Sequence, residues 1–149
     1  MYKVLFVCTG NTCRSPMFEY ALKHYLSEKG AQNICVDSAG TMRHTKPMAS
    51  HAKEVLRAHG IEFDEDKISQ HCDVQLLETS DVVFTMTLEQ CEYLKTMCSF
   101  DCNILPLCDI IGYEVDDPYE KGLKAYENTY DSIEKALPII LNYIAKTGV

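Results

Sequence analysis

The residues best suited to chemistry form one stretch near the amino terminus, Cys8-Thr9-Gly10-Asn11-Thr12-Cys13-Arg14-Ser15. This stretch follows the apolar run Val4–Val7 and precedes Pro16, so a strand, a tight loop and a helix are predicted in that order. Loop N–H groups and a helix N-terminus that converge on one point bind phosphate oxygens. The same field stabilises a Cys8 thiolate over the thiol, and Arg14 adds a planar fork of donors that suits phosphate. The residues therefore predict a loop in which Cys8 attacks phosphorus.

The spacing Cys-x5-Arg resembles the active-site signature of the protein tyrosine phosphatases. With Gly10-Asn11, Ser15-Pro16 and its place near the amino terminus, the stretch resembles the low-molecular-weight branch of that family. Within that branch, the loop sequence is similar to that of the bacterial protein-arginine phosphatases. Further segments extend the likeness from about Val4 to about Ile144, namely Ser38-Ala39-Gly40, Asp81–Thr87 and Asp117-Pro118-Tyr119.

The resemblance implies a phosphoprotein phosphatase that forms a cysteinyl-phosphate intermediate and needs no cofactor or metal. It implies Cys8 and Arg14 as catalytic residues, with phosphate bound by Thr9, Gly10, Asn11, Thr12, Cys13, Arg14 and Ser15. Ser15 is expected to cap the helix and to hydrogen-bond the thiolate, and Ser38 is expected to pair with Asn11 in bracing the loop. Gly10 is expected to supply an unusual backbone angle that turns N–H groups inward.

A general acid is also required, and Asp117 is the candidate. The leaving group needs a proton, and the water that later attacks the intermediate needs a base. Asp117 follows the predicted fourth strand, so it belongs to the same edge of the sheet as Cys8. Pro118 favours an extended conformation at Asp117, which lifts its carboxyl away from the backbone. The family resemblance places the acid directly before the proline, so it implies Asp117 as the catalytic acid, and the neighbouring Asp116 is expected to be a solvated charge.

Three features are left open by the sequence. Cys13 either packs under the loop or traps oxidised Cys8 as a disulfide. Relatives brace the loop asparagine with a histidine, but here His71 is displaced, so either His71 takes that role or Asn11 is braced otherwise. The other thiols show no Cys-x2-Cys pair and the five histidines no ligand spacing, so no metal site is predicted and the histidines are expected to be ordinary surface or half-buried residues.

The choice of phosphorylated substrate depends on the pocket wall. Relatives that act on phosphotyrosine commonly carry a bulky aliphatic residue where this chain has Thr12, whose hydroxyl suits a guanidinium. Tyr119 can stack on an aromatic ring or on a guanidinium plane. Phosphoarginine is therefore favoured, with phosphotyrosine as the alternative. A thioredoxin-coupled arsenate reductase on the same fold, using the spacing Cys91-x6-Cys98, is a further alternative. A phosphocarrier protein is disfavoured, because it has no use for the acid Asp117.

Composition places limits on partners. The 149 residues are enough for one domain, residues 1–149, and contain no run of 18 apolar residues, so no membrane partner is expected. A net charge of −8 argues against nucleic acid. Met1 leads directly into a predicted strand, which leaves no room for a signal peptide, so we expect a cytoplasmic protein whose eight cysteines are mostly buried. Expected partners are phosphorylated proteins, with inorganic phosphate as product and inhibitor.

The elements that must position these residues alternate along the chain. Strands are predicted at residues 3–7, 34–37, 81–87 and 103–107, and helices at 16–30, 49–59, 88–98 and 122–145. This alternation predicts an α/β fold of three layers, a four-stranded parallel sheet with helices on both faces, like that of the low-molecular-weight phosphotyrosine phosphatases. Pro138 interrupts the last helical pattern, which predicts a kink or break between Tyr130 and Pro138.

Overall fold

Four parallel strands form the centre of the structure, a computed structural model that describes residues 1–98 and 101–148. The strands are β1 (Tyr2–Cys8), β2 (Ile34–Gly40), β3 (Val82–Thr85) and β4 (Ile104–Pro106). They lie in the order β2-β1-β3-β4, and each adjacent pair is parallel. The predicted four-stranded parallel sheet is confirmed.

Six helices accompany the strands in the described part of the chain: α1 (Arg14–Glu28), α2 (Ser50–Ala58), α3 (Val74–Thr79), α4 (Leu88–Met97), α5 (Cys108–Ile111) and α6 (Leu123–Thr147). The sequence predicts α1, α2, α4 and α6. It misses α3 and α5, because six and four residues are too short to show a helical period. None of the helices found within residues 1–98 and 101–148 is both long and apolar enough to cross a membrane.

The two faces of the sheet are covered by two separate apolar clusters. Alternate residues of β1 point to opposite faces, so Val4 and Phe6 enter the larger cluster while Leu5 and Val7 enter the smaller one. The larger cluster contains the apolar faces of α1, α2 and α6, and the smaller one those of α3 and α4. Phe6 stacks on Phe18 of α1 with ring centroids 4.9 Å apart. The predicted three layers are therefore present.

The strand order places a crevice at the end of β1. The chain leaves β1 to form β2 on one side and then crosses back to form β3 on the other. At such a reversal the loops after two neighbouring strands turn to opposite faces and open a ligand crevice beyond the carboxyl ends. Cys8 is the last residue of β1 and pairs in register with Gly40 of β2. The Cys8–Ser15 stretch thus lies where this fold binds ligands.

The last helix contradicts one prediction. α6 continues through Pro138, so the predicted break is wrong, while the predicted kink stays a prediction. The proline deprives the carbonyl of Glu134 of its helical partner, but Glu134 and Pro138 both lie on the exposed side. Water can satisfy the free carbonyl there, while Ile133 and Ile140 remain buried on the opposite side and hold the helix on the core.

Candidate active site

The loop between β1 and α1 has its carbonyl groups tied to one neighbouring segment, residues 41–49. Four donors of this segment bond four loop carbonyls: Thr41 N to Cys8 O at 3.1 Å, Met42 N to Thr9 O at 3.0 Å, His44 Nε2 to Gly10 O at 2.8 Å and Ala49 N to Thr12 O at 2.9 Å. Among the described residues, no acceptor takes the N–H groups of Gly10, Thr12 and Cys13. The loop therefore offers a set of free backbone donors to an anion.

The unusual backbone angle in the loop belongs to Asn11, at φ 55°. The prediction that Gly10 supplies it is wrong. Asparagine tolerates this left-handed region better than other side-chain-bearing residues because its short amide bonds locally. A Cβ on Gly10 would lie 3.5 Å from Thr12 Oγ1, which is ordinary contact, so space does not demand a glycine there.

A glycine is demanded at the end of β2 instead. A Cβ on Gly40 would lie 2.7 Å from the carbonyl oxygen of Thr9, a backbone atom that cannot move aside cheaply. Gly40 therefore allows β2 to approach the loop closely. The segment Ser38-Ala39-Gly40 marks this contact in the sequence, although its reason is visible only in the structure.

The Cys8 thiol is buried, and two groups lie within hydrogen-bonding distance of its sulfur. Ser15 Oγ lies 2.9 Å from Cys8 Sγ, and the N–H of Asn11 donates to the same sulfur at 3.2 Å. Ser15 does not cap α1, because the helix begins at Arg14 and the cap position is Cys13, which makes no side-chain cap bond. The prediction that Ser15 caps the helix is wrong, and its hydroxyl contacts the Cys8 sulfur instead.

The amide of Asn11 fixes the direction of the bonds below the sulfur. Its Oδ1 accepts the backbone N–H of Gln70 at 2.8 Å, which can only donate, so its Nδ2 must face the other way. Nδ2 then donates to Ser15 Oγ at 2.9 Å and to Ser38 Oγ at 3.0 Å. Because Ser15 accepts this bond, its own proton can be donated either to a thiolate at Cys8, 2.9 Å away, or to the carbonyl of Ala39 at 3.4 Å. Gln70, and not His71, completes the brace of Asn11.

A buried carboxylate terminates this network. Glu19 on α1 is 3% exposed and accepts the hydroxyl proton of Ser38 at 2.6 Å. Two lysines neutralise it, Lys23 at 2.6 Å and Lys67 at 3.2 Å. A buried charge needs such pairing, and here it keeps Ser38 donating away from Asn11. The sequence analysis did not identify Glu19, because its role depends on contacts that span three elements.

The structure brings Asp117, and not Asp116, to the mouth of the loop. Arg14 Nη2 lies 3.6 Å from Asp117 Oδ2, and Arg14 Nη1 donates to the carbonyl of Val115 at 3.2 Å. The Asp117 side chain is 53% exposed and accepts the N–H of Tyr119 at 3.1 Å. Among the described residues, the Asp116 side chain has no bonding partner, and its backbone carbonyl accepts the hydroxyl of Thr129 at 3.0 Å.

These groups surround a cavity of about 310 Å³. Its lining includes most of the predicted residues: Cys8, Thr9, Gly10, Thr12, Cys13, Arg14, Asp117 and Tyr119. Asn11, Ser15 and Ser38 are buried beneath the loop and act on it from below. The sequence analysis missed Met42, His44 and Lys46 in the wall. His44 was expected to be an ordinary residue, and no pattern in residues 41–49 shows that this segment holds the loop.

The remaining cysteines differ in their surroundings. All eight are free thiols, but only Cys8, Cys13, Cys72 and Cys91 are buried, which is half and not most of them. Cys13 Sγ lies 3.2 Å from Tyr126 Oη, and burial raises the pKa of its thiol. Within residues 1–98 and 101–148, no three His, Cys, Asp or Glu side chains are grouped to hold a metal ion.

Comparisons with known proteins agree with this geometry. A model of the low molecular weight phosphotyrosine protein phosphatase family matches residues 3–148. The low molecular weight protein-tyrosine-phosphatase YfkJ of Bacillus subtilis is 34% identical over 131 residues, covering 82% of this chain and 83% of YfkJ. The protein-arginine-phosphatase of the same species is 30% identical over 148 residues, covering 96% and 97%. A solved mutant of the YwlE arginine phosphatase with a phosphorylated active-site serine matches with TM-score 0.88 and 28% identity, covering 98% and 97%.

Proposed function

Because the chain belongs to the low-molecular-weight phosphotyrosine protein phosphatase family, we propose that it hydrolyses phosphorylated protein side chains with Cys8 as the nucleophile. A member of this family is a phosphoprotein phosphatase. The observation that supports Cys8 is the pair of groups at its sulfur, Ser15 Oγ at 2.9 Å and Asn11 N at 3.2 Å. Both can donate to a thiolate, which is the form of cysteine that attacks phosphorus.

In the first step, Cys8 Sγ forms a bond to phosphorus while the bond from phosphorus to the leaving atom breaks. The free loop N–H groups and the Arg14 guanidinium hold the three remaining oxygens, whose charge they stabilise. Asp117 gives its proton to the leaving oxygen or nitrogen. Its place beside Arg14 at the open side of the cavity suits this task, because the leaving group departs toward solvent.

In the second step, the Asp117 carboxylate takes a proton from water, and the water oxygen attacks phosphorus. The bond between sulfur and phosphorus breaks, and the Ser15 hydroxyl stabilises the thiolate that leaves. Inorganic phosphate is released, and because it fits the same loop it should inhibit competitively. In the YwlE mutant an active-site serine carries a phosphoryl group, which is consistent with transfer to the enzyme in that relative.

Phosphoarginine is the proposed substrate. Thr12 lines the cavity and places a hydroxyl oxygen where a guanidinium N–H needs an acceptor. The exposed ring of Tyr119 offers a face on which the guanidinium plane can stack. Phosphotyrosine is the second candidate, since Met42 and Tyr119 in the same wall give an aromatic ring apolar contacts.

The arsenate reductase alternative gains no support from the geometry. Cys91 is buried on α4 and directs its thiol to the carbonyl of Ile104 at 3.6 Å. It packs in the smaller cluster, whereas Cys8 belongs to the larger one on the opposite face of the sheet. A disulfide relay from Cys8 to Cys91 would have to cross the sheet.

The test is a side-by-side assay of Cys8→Ser and wild type on an aryl phosphate, a phosphoarginine peptide and a phosphotyrosine peptide. Cys8→Ser should lose turnover of all three while still binding phosphate. Cys35→Ser, the same change at an exposed thiol on β2, is the matched control and should keep full activity. Full activity in Cys8→Ser would exclude Cys8 as the nucleophile. If wild type prefers the phosphotyrosine peptide, phosphotyrosine replaces phosphoarginine as the proposed substrate.

A further inference from the structure

The wall of the cavity carries a cation that the proposed chemistry does not use, Lys46. Its side chain is exposed, but its backbone is held on both sides by Ser69. The N–H of Lys46 donates to Ser69 Oγ at 2.9 Å, and the N–H of Ser69 donates to the Lys46 carbonyl at 2.8 Å. Pro47 continues the contact by pairing with Ile68. The root of the lysine side chain is therefore fixed beside the mouth of the cavity.

Lys46 has no side-chain partner within the described residues, unlike Arg14 in the cavity and Lys53 on α2. Arg14 is engaged by Asp117 and by the carbonyl of Val115. Lys53 donates to the carbonyl of Glu65 at 2.8 Å. No carboxylate of the described chain lies within 4.0 Å of Lys46 Nζ. In a chain of net charge −8, an unpaired ammonium group next to the reaction cavity is available to an external anion.

Lys46 also joins the cavity to a shallow groove on the surface. Thr12, Lys46 and Tyr119 line both depressions. From there the groove continues over a mainly apolar floor at the start of α2, made by Pro47, Met48, Ala49 and Ser50. This groove is a path for a polypeptide whose phosphorylated side chain enters the cavity, and a chain that follows it has its flanking residues beside Lys46.

We propose that Lys46 selects substrates by binding an acidic side chain next to the phosphorylated residue, with the substrate backbone lying along this groove. The inference rests on the proposed protein phosphatase function and adds a sequence preference to it. The net negative charge of the chain repels acidic segments at long range, so recognition of one needs a local cation. The first turn of α2 has no side-chain cap at Ala49, and its free N–H groups add to the same positive potential.

The expected effect is modest, because the pair remains in solvent. Exposed ion pairs are worth about 0.2–1 kcal/mol, which is up to about a fivefold change in kcat/KM. Added salt should weaken the preference, since it screens exposed charges. The preference should be the same for phosphoarginine and phosphotyrosine peptides, because Lys46 contacts the flanking residue and not the phosphorylated one.

The experiment measures kcat/KM for matched peptides that carry Glu or Gln at each position from two before to two after the phosphorylated residue. Both phosphoarginine and phosphotyrosine series are used. For wild type, Glu should exceed Gln by about two- to fivefold at one or two positions. Lys46→Gln should abolish this ratio, and Lys46→Arg should keep it. Lys135→Gln removes the same charge from the exposed side of α6 and should leave the ratio unchanged.

The outcomes separate this inference from the function on which it rests. Equal rates on Glu and Gln peptides in wild type, or an unchanged ratio in Lys46→Gln, would overturn the role of Lys46 alone. If Lys46→Gln is slower by the same factor on every peptide and on a small aryl phosphate, Lys46 acts on the phosphoryl group itself. That result would also overturn its proposed role in binding a flanking acidic residue. Failure of wild type to hydrolyse any phosphopeptide would overturn the proposed function and this inference together.

Discussion

The floor of the cavity, residues 8–15, is held by buried hydrogen bonds, whereas the acid segment, residues 115–119, is anchored by the buried Val115 and Pro118 and exposes its three other side chains to solvent. The floor is tied to residues 41–49 through its carbonyls, and to Ser38 and Gln70 through the side chain of Asn11. The acid segment depends on Arg14, on Thr129 and on a local bond from the N–H of Tyr119. One side of the site is therefore fixed and the other is lightly held.

This difference matches the proposed tasks of the two sides. A floor that binds a phosphoryl group stabilises charge best when its donors need no rearrangement. The acid segment must admit a substrate, protonate its leaving group and then admit water, so it has to lie at the open side. Changes to the buried side chains of the floor should therefore reduce stability as well as turnover, while changes to the exposed side chains of the acid segment should act on turnover alone.

The largest expected effect is from Asp117→Asn. Hydrolysis of substrates with poor leaving groups should fall by about 10²–10⁴-fold, because a positioned acid contributes that much. Activated aryl phosphates, which leave without a proton, should lose far less, and thermal stability should not change because the side chain is exposed. Asp116→Asn is the matched control and should be close to wild type. Equal losses on both kinds of substrate would contradict the assignment of Asp117 as the acid.

In the floor, Asn11→Ala should lower the free energy of unfolding by at least about 2 kcal/mol. It removes the partners of Ser38 and of the buried N–H of Gln70, each worth about 1–3 kcal/mol when left unsatisfied. Asn11→Gly removes the same amide but accepts φ 55° freely, so it should be more stable than Asn11→Ala. Denaturant unfolding of the two variants separates the side-chain and backbone contributions. An Asn11→Ala variant as stable as wild type would show that the floor is not fixed by this network.

The same two regions show what the sequence could and could not predict. The order of strand, loop and helix around Cys8 was predictable, because apolar runs and Pro16 reveal it locally. The place of Asp117 at the same sheet edge followed from the preceding strand, but the choice of Asp117 over Asp116 came from the family resemblance. The hydrogen bond from His44 to the Gly10 carbonyl was not predictable, because it depends on where residues 41–49 pack and not on their sequence pattern.

Three predictions failed because of local geometry that residue type does not reveal. Glycine suggested the unusual angle at Gly10, but the chain places it at Asn11. Serine is a residue type that is common at helix N-caps, but α1 begins one residue before Ser15. Its hydroxyl therefore reaches Cys8 instead. Pro138 predicts a break only if its lost hydrogen bond falls in the core, and it falls on the exposed side of α6.

Thr12 lies where the fixed floor meets the substrate, and its substitution should change specificity without changing stability. Thr12→Ile should shift the ratio of kcat/KM for phosphotyrosine over phosphoarginine peptides by about tenfold or more, since a pocket change of this size is worth about 1–3 kcal/mol. An apolar wall favours a ring and desolvates a guanidinium without offering an acceptor. Thr12→Val, which removes only the hydroxyl, measures how much of the shift is polar. An unchanged ratio in both variants would show that Thr12 does not select the substrate.

The smallest expected effect is at Thr129, which connects α6 to the acid segment. Thr129 is buried, and its hydroxyl donates to the carbonyl of Asp116 at 3.0 Å, one residue from the acid. Thr129→Val keeps the shape and removes the bond, which is worth about 1 kcal/mol, so kcat for poor leaving groups should fall by about two- to fivefold. Activated substrates should be unaffected, and Thr129→Ser should restore the rate. If Thr129→Val instead slows both kinds of substrate equally, the acid segment is positioned as rigidly as the floor, and the two sides of the site do not differ in the way that their contacts indicate.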